Sequence, residues 1–236
     1  MASLLLINPN TTQAVTDRLR RQLVAQLGMS GPARLHACTA RFGAPYIADA
    51  ATYQVGARAV LDAFALHVAE HGLPGAVLVG CFGDPAVWAL RSLHPQLPAM
   101  GLAEAGMREA AAHGPFAVVT GGHAWQPLLR QLAADRGLAG PQGLVAVHTV
   151  EATGGQMAAD LHAAQALLHE AAQACLAQHP GVRALVLGGA TLGGLAEPLA
   201  DTLGLPVVDN VAAGGRWLAG HLSSPLSGPQ VGRVQP

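Results

Sequence analysis

The stretch Ala76-Val-Leu-Val-Gly-Cys-Phe-Gly-Asp-Pro85 decides how this chain is read. Its first four residues are a short apolar run of the kind that forms a strand buried on both faces of a parallel sheet. Small residues follow, then one cysteine, then a helix-start signal. Asp84 is a favoured N-cap type, and Pro85 suits a first helical position because its missing N–H would have no partner there. The pattern therefore predicts Cys81 at the carboxyl end of a strand, beside a helix N-terminus. Open α/β sheets bind ligands at that edge.

The same order recurs 108 residues downstream. Ala76 falls on Ala184, Gly80 on Gly188, Leu97-Pro98 on Leu205-Pro206, and Ala105-Gly106 on Ala213-Gly214. Identities between small apolar residues are cheap, so the shared order of run, small residues, helix, Leu-Pro and strand carries the argument. At this offset Cys81 falls on Gly189, and the second half has no thiol at the matching place.

Working outward, Leu4 to Ile7 reads as a strand stopped by Asn8-Pro9, followed by a helix with Val15, Leu19, Leu23 and Leu27 on one face. Asn10, Thr11 or Thr12 could cap it. Ala33 to Ala37 is a second strand, Ala50 to about His71 a helix ended by Gly72 and Pro74, and Leu97 to Leu102 a fourth strand. From Phe116 the pattern restarts, with strands at Phe116 to Val119, Leu144 to His148, Ala184 to Leu187 and Pro206 to Val208. Helices are expected after Gly122, from Asp160 to about Gln178, and from about Ala212 to Leu222. Strands alternating with helices predict an α/β fold of two pseudo-symmetric flavodoxin-like lobes with parallel sheets, the active site in the cleft between them. The expected lobes are residues 1–98 with 210–222, carrying Cys81, and residues 99–209, carrying the Gly188-Gly189 loop. Residues 223–236, rich in Ser, Pro and Gly, are expected to be a disordered tail.

Composition bounds the function. Hydrophobic residues make up 51% of 236, enough for a large core. The net charge of −1 gives no electrostatic case for nucleic acid or acidic membrane partners. All 13 basic residues are arginine, which excludes a Schiff-base lysine and a P-loop lysine. The three cysteines show no paired or CxxC spacing, so no disulfide framework is expected. The opening segment lacks the basic start of a signal peptide, and no apolar segment is long enough to span a bilayer. A cytoplasmic protein is the default expectation.

Cys81 is the candidate for chemistry, because free N–H groups and the positive end of a helix lower a thiol's pKa and bind anions. Cys38 and Cys175 have no such setting and read as structural. His67-Val-Ala-Glu-His71 matches the inverted zinc-protease pattern H-x-x-E-H. It falls in the last turn of a helix, where histidines are favoured by the dipole, so no metal is expected there. His36 and His148 occupy matching strands and read as core histidines. Gly188-Gly-Ala-Thr191 stands opposite the cysteine loop, and its glycines let backbone N–H groups face an anion.

Leu6-Ile-Asn-Pro-Asn-Thr11, Cys81-Phe-Gly-Asp-Pro85, Leu102-Ala-Glu-Ala105 and Phe116-Ala-Val-Val-Thr120 together resemble the hydantoin and allantoin racemase branch of the aspartate/glutamate racemase superfamily. The likeness runs over nearly the whole chain except the tail. It implies a cofactor-free enzyme in which one cysteine from each lobe flanks the substrate α-carbon, one taking a proton as thiolate and the other returning it to the opposite face. It also implies a homo-oligomer and a small-molecule substrate: a hydantoin, allantoin, an amino acid or a related carboxylate. By this resemblance Cys81 is the first-lobe cysteine, and Asn8, Phe82, Gly83, Thr120, Gly189 and Ala190 belong to the pocket, with Tyr46 in a Pro-Tyr pair like that of the amino-acid racemases. Gly121 and Thr191, their neighbours in the chain, are candidate substrate-binding residues beside them.

Gly189 departs from the pattern. A two-base racemase needs an acid–base group on each face of the planar intermediate. Glycine offers only an N–H for the enolate oxygen. Three readings stay open: a racemase with an altered second face, a single-cysteine isomerase like maleate isomerase, and a binding protein that has lost the chemistry. Without a second base, one-sided proton exchange is favoured over racemisation, and Gly189→Cys would restore racemisation if the loop tolerates a side chain.

Overall fold

The structure is a computed structural model and describes residues 3–28, 35–152 and 154–222. The strand expected from Ala33 begins, within the described residues, at Leu35; the tail 223–236 lies outside them.

In chain order the first half holds β1 (Leu4–Asn8), α1 (Gln13–Gln26), β2 (Leu35–Thr39), α2 (Ala50–His71), β3 (Ala76–Val79), α3 (Val87–Leu93), β4 (Ala99–Gly101) and α4 (Leu102–Ala111). The second holds β5 (Phe116–Gly121), α5 (Trp125–Asp135), β6 (Leu144–Val150), α6 (Gly154–Ala159), α7 (Leu161–Gln178), β7 (Ala184–Gly188), α8 (Ala196–Leu203), β8 (Val207–Asp209) and α9 (Asn210–Ala219). Each half forms a four-stranded parallel sheet, ordered β2-β1-β3-β4 and β6-β5-β7-β8. This is the doubly wound order, whose direction of winding reverses between the first and third strands.

Strand register repeats the internal symmetry. Leu4 pairs with Ala76 and Phe116 with Ala184; Val77 pairs with Ala99 and Leu185 with Val207. Pairing on β3 places β4 in the first sheet. A boundary after residue 98 would cut that strand from its neighbours, because the ladder continues through Gly101.

Alternation along the strands divides the core. Phe116, Val118 and Val186 point into the layer shared by the two halves, where α4 packs on α9 and on β7. Their neighbours Ala117, Val119, Leu185 and Leu187 turn to the outer face, under α7 and α8. A one-residue slip in either strand would exchange these two surfaces.

The clearest departure from the expected local structure lies after Cys81. Asp84 and Ala86 both have positive φ, at 57° and 60°, and the helix begins only at Val87. Asp84 therefore does not cap the helix that follows it, and Pro85 is not its first residue. The Asp84 carboxylate reaches across to α4, where it accepts from the Ala103 N–H at 2.8 Å and from the Glu104 N–H at 2.7 Å. It caps that helix from outside, satisfying two N–H groups that have no partner within it. Gly101 makes this possible: a Cβ there would overlap the Asp84 carboxylate. In the second half the mirror of Gly101 is Asp209, which itself accepts from the N–H groups of Val211 and Ala212 at the start of α9. One half caps the helix with a residue in line, the other with a loop carboxylate filling the space left by glycine.

Gly101→Ala is expected to destabilise the fold by about 1–3 kcal/mol by forcing Asp84 off the α4 terminus. Urea unfolding would show this as a lowered midpoint with an unchanged slope; an unchanged midpoint would refute the packing account.

Candidate active site

The sheet topology puts two winding reversals face to face. Asn10, Gly80 and Cys81 come from the ends of β1 and β3, and Thr120, Gly121, Gly188 and Gly189 from the ends of β5 and β7; all line one narrow cleft. Tyr46, Phe82, Ala190 and Thr191 complete the set expected from the sequence.

Two of the expected residues stand outside it. Asn8 is fully buried, and its amide donates to Asn10 Oδ1 at 2.9 Å and to Thr16 Oγ1 at 3.0 Å. Its own Oδ1 accepts from the Asn10 N–H at 3.2 Å. Asn8 thus shapes the turn that presents Asn10, and Asn10 is the residue in the cleft. Gly83 lies against α5, where a Cβ would overlap the ring of Trp125, and its carbonyl accepts from Tyr53 Oη at 2.9 Å. Val15, Ile47, Trp125 and Met157 also line the cleft. They come from an element face or from distant loops, and no local motif distinguishes them from core residues.

The two mirrored loops are locked by complementary absences of side chain. Phe82 of the cysteine loop sits where a Cβ on Gly188 would be, and Trp125 of α5 sits where a Cβ on Gly83 would be. Each half fills a glycine gap in the other. Thr120 Oγ1 donates to the Gly188 carbonyl at 2.8 Å, fixing the second loop from below.

Cys81 is 8% exposed at the cleft wall. Burial raises its thiol pKa above the usual range, and the nearby Asp84 charge raises it further. The sequence led us to expect the opposite, a thiol acidified by a helix N-terminus. The reason lies in the loop: the helix starts six residues beyond Cys81, and the group between them is a carboxylate. Asp84 is itself perturbed. Burial pushes its carboxyl up to about 7, while hydrogen bonds from Glu104 and Ala103 act in the opposite direction. Its companion Glu104 is fully buried under three guanidiniums, with Arg91 and Arg136 each 2.9 Å and Arg108 2.8 Å from its carboxylate. Burial would raise its pKa, but bonds from Arg91 and Arg108 outweigh that and hold it below the usual range.

Opposite Cys81, Gly189 has φ +147°, and a Cβ built there would lie 3.0 Å from Leu192 Cδ1 and Cγ. Few L side chains adopt that backbone, so the second loop is shaped around glycine. Simple restoration of a thiol at Gly189 therefore meets both backbone strain and the Leu192 side chain. No residue lining the cleft, among those described, carries a formal charge. The polar groups are hydroxyls, the Asn10 amide, the Trp125 indole, the Cys81 thiol and backbone.

With this geometry in place, comparison with known proteins is specific. The Asp/Glu/hydantoin racemase family profile matches residues 4–216, and the chain belongs to that family. It is 29% identical over 226 residues to the hydantoin racemase of Paenarthrobacter aurescens, covering 89% of this chain and 86% of that one. Among solved structures, the allantoin racemase from Klebsiella pneumoniae superposes with a TM-score of 0.79 at 24% identity, covering 93% of this chain and 87% of that chain. The allantoin racemase of Pseudomonas fluorescens gives the same TM-score and identity, with 92% and 89% covered. These likenesses bear out the two-lobed α/β fold and the resemblance read from the sequence.

Asp84→Asn is expected to make Cys81 several-fold more reactive toward iodoacetamide at pH 8–9, where the Asp84 carboxylate is ionised and opposes the thiolate. Peptide mass spectrometry resolves the three cysteines, with Cys38 and Cys175 as internal references. Equal labelling of Cys81 in both proteins would show that the carboxylate does not govern the thiol.

Proposed function

We propose that the protein is a cofactor-independent racemase or isomerase that removes the proton α to a carbonyl of a neutral cyclic ureide, a hydantoin or allantoin, using the Cys81 thiolate as base. The observation that carries this reading is a buried thiol at the winding reversal of one sheet, facing a loop of small residues at the winding reversal of the other.

Cys81 Sγ takes the α-proton and the substrate becomes an enolate, its charge drawn onto the carbonyl oxygen. Backbone N–H groups of the Gly189-Ala190 turn are the candidate donors to that oxygen. The Cys81 thiol then exchanges its proton with solvent and returns one to the same face, or it releases its proton to solvent while a solvent proton reaches the other face and inverts the centre. Either way the thiolate is regenerated. The absence of any charged lining residue, among those described, bears on the substrate. Aspartate, glutamate and maleate would bring two carboxylates into a site with no cation to meet them, which is costly in a buried cleft. A neutral ring with two carbonyls and N–H groups matches the hydroxyl, amide and backbone groups that are there.

A single enantiomer of a 5-substituted hydantoin, followed in D₂O by NMR and chiral chromatography, tests this. Deuterium uptake with retention is expected to outpace inversion, because only one face has a placed base. Inversion as fast as uptake would show that a second acid is at work; no uptake on hydantoins or allantoin would remove the enzymatic reading and leave a binding protein. Cys81→Ser should lower uptake by about 10²–10⁴-fold with little change in ligand affinity.

The pH dependence follows from the sign of the thiol's shift. Its pKa stands above the usual thiol range, so the thiolate fraction at neutral pH is small and grows with pH. Uptake should rise with pH and reach roughly tenfold per unit between pH 8 and 9, where Asp84 is already ionised, with no plateau. A plateau between pH 8 and 9 would mean that a group other than this thiol is the base.

A further inference from the structure

The inverted zinc-protease pattern finds a partner that its own helix does not contain. His67 and His71 are one turn apart near the end of α2, and His36 comes from β2, the edge strand beneath. The three rings stand 4.7–5.1 Å apart, centroid to centroid, and their nearest ligand atoms all lie within 4.8 Å of one another. His67 is 3% exposed, and its Nε2 has no hydrogen-bond partner. A buried, unpaired imidazole nitrogen is costly unless something else occupies it.

We propose that His36, His67 and His71 form a three-imidazole site for a divalent transition-metal ion of the zinc type, which pins the last turn of α2 to the edge of the first sheet. Imidazole is a favoured ligand for zinc, copper and nickel, and three histidines with a fourth position open to water is a recurring zinc arrangement. Zinc–nitrogen bonds of about 2.0–2.1 Å require the nitrogens to draw together from their present spacing. His71, on the exposed side, has room to turn. Glu70 stands at the rim, its carboxylate 3.7 Å from His71 Nε2.

The site is remote from the cleft. Tyr53, near the start of α2, touches the cysteine loop, and His71 lies 18 residues further along, about 27 Å at 1.5 Å per residue. The metal is thus a clamp on an edge strand and takes no part in the proposed proton transfer.

The test uses the untagged chain stripped with a chelator. Zn²⁺ titration by calorimetry is expected to show one equivalent, Co²⁺ to give visible absorption bands of a low-coordinate nitrogen site, and saturating Zn²⁺ to raise the melting temperature by several degrees. His71→Ala, at an exposed position, should weaken binding at least tenfold and remove the thermal shift without altering the metal-free melting temperature. His67→Asn, checked for folding by circular dichroism, should do the same to binding. Cys81→Ala should retain the full response. Absence of a Co²⁺ spectrum, or equal Zn²⁺ affinity in the native chain and both histidine variants, would overturn the proposal.

Discussion

The carboxylate of Asp84 on the first turn of α4 is the constraint from which the site follows. It ties the loop that carries Cys81 to the N-terminus of a helix packed between the two sheets. Two charge-assisted hydrogen bonds from backbone N–H groups are strong for their size, and burial leaves the carboxylate no alternative partner in water. The loop accepts two residues at positive φ to reach this position. Strain of that kind persists only where surrounding contacts over-determine it, and it lies three residues from the thiol. Glu104, one of the two donors, is in turn fixed by arginines from α3 and α4 and by the arginine that ends α5. The cysteine loop, the central helix and the second half are therefore one connected network.

The internal repeat shows how two halves of like topology reach different local chemistry. Both sheets reverse their winding at the same place, which is why the cleft forms between β1–β3 ends and β5–β7 ends. Gly101 and Asp209 solve one capping problem in two ways, and the difference decides where the carboxylate's charge lies relative to the loop. In the first half it stands near a thiol; in the second it stands beside Gly194. Phe82 against Gly188 and Trp125 against Gly83 then set how closely the halves approach.

Much of this was legible in the sequence because it rests on period and order. Buried parallel strands read as continuous apolar runs, and Ala76–Val79 and the helix Ala50–His71 have the predicted limits. Cys81, Thr120 and the Gly189–Thr191 turn reach the cleft because strand ends define it. What failed has a common cause. Asp84-Pro85 looks like a local helix start, yet a carboxylate can satisfy any N-terminus within reach, and the choice of α4 is tertiary. Asn8 and Asn10 are both plausible at a strand end, and only the hydrogen-bond network tells which is inward. His36 is invisible as a partner of His67 because 31 residues and a change of element separate them.

The same physics limits the chemistry the cleft can support. A thiolate created in an uncharged, buried site beside a carboxylate is unfavourable, so the proposed proton transfer must exchange one poorly solvated anion for another. That exchange is easier than creating charge afresh, provided the enolate oxygen finds donors the thiolate lacks. In the proposed reaction those donors are the backbone N–H groups of the Gly189-Ala190 turn, whose conformation at Gly189 is one that glycine holds at little cost. A thiol at Gly189 would add a second base but would also disturb the turn that presents those donors. On this account, the glycine that removes one half of a two-base mechanism also serves the electrostatics of the half that remains.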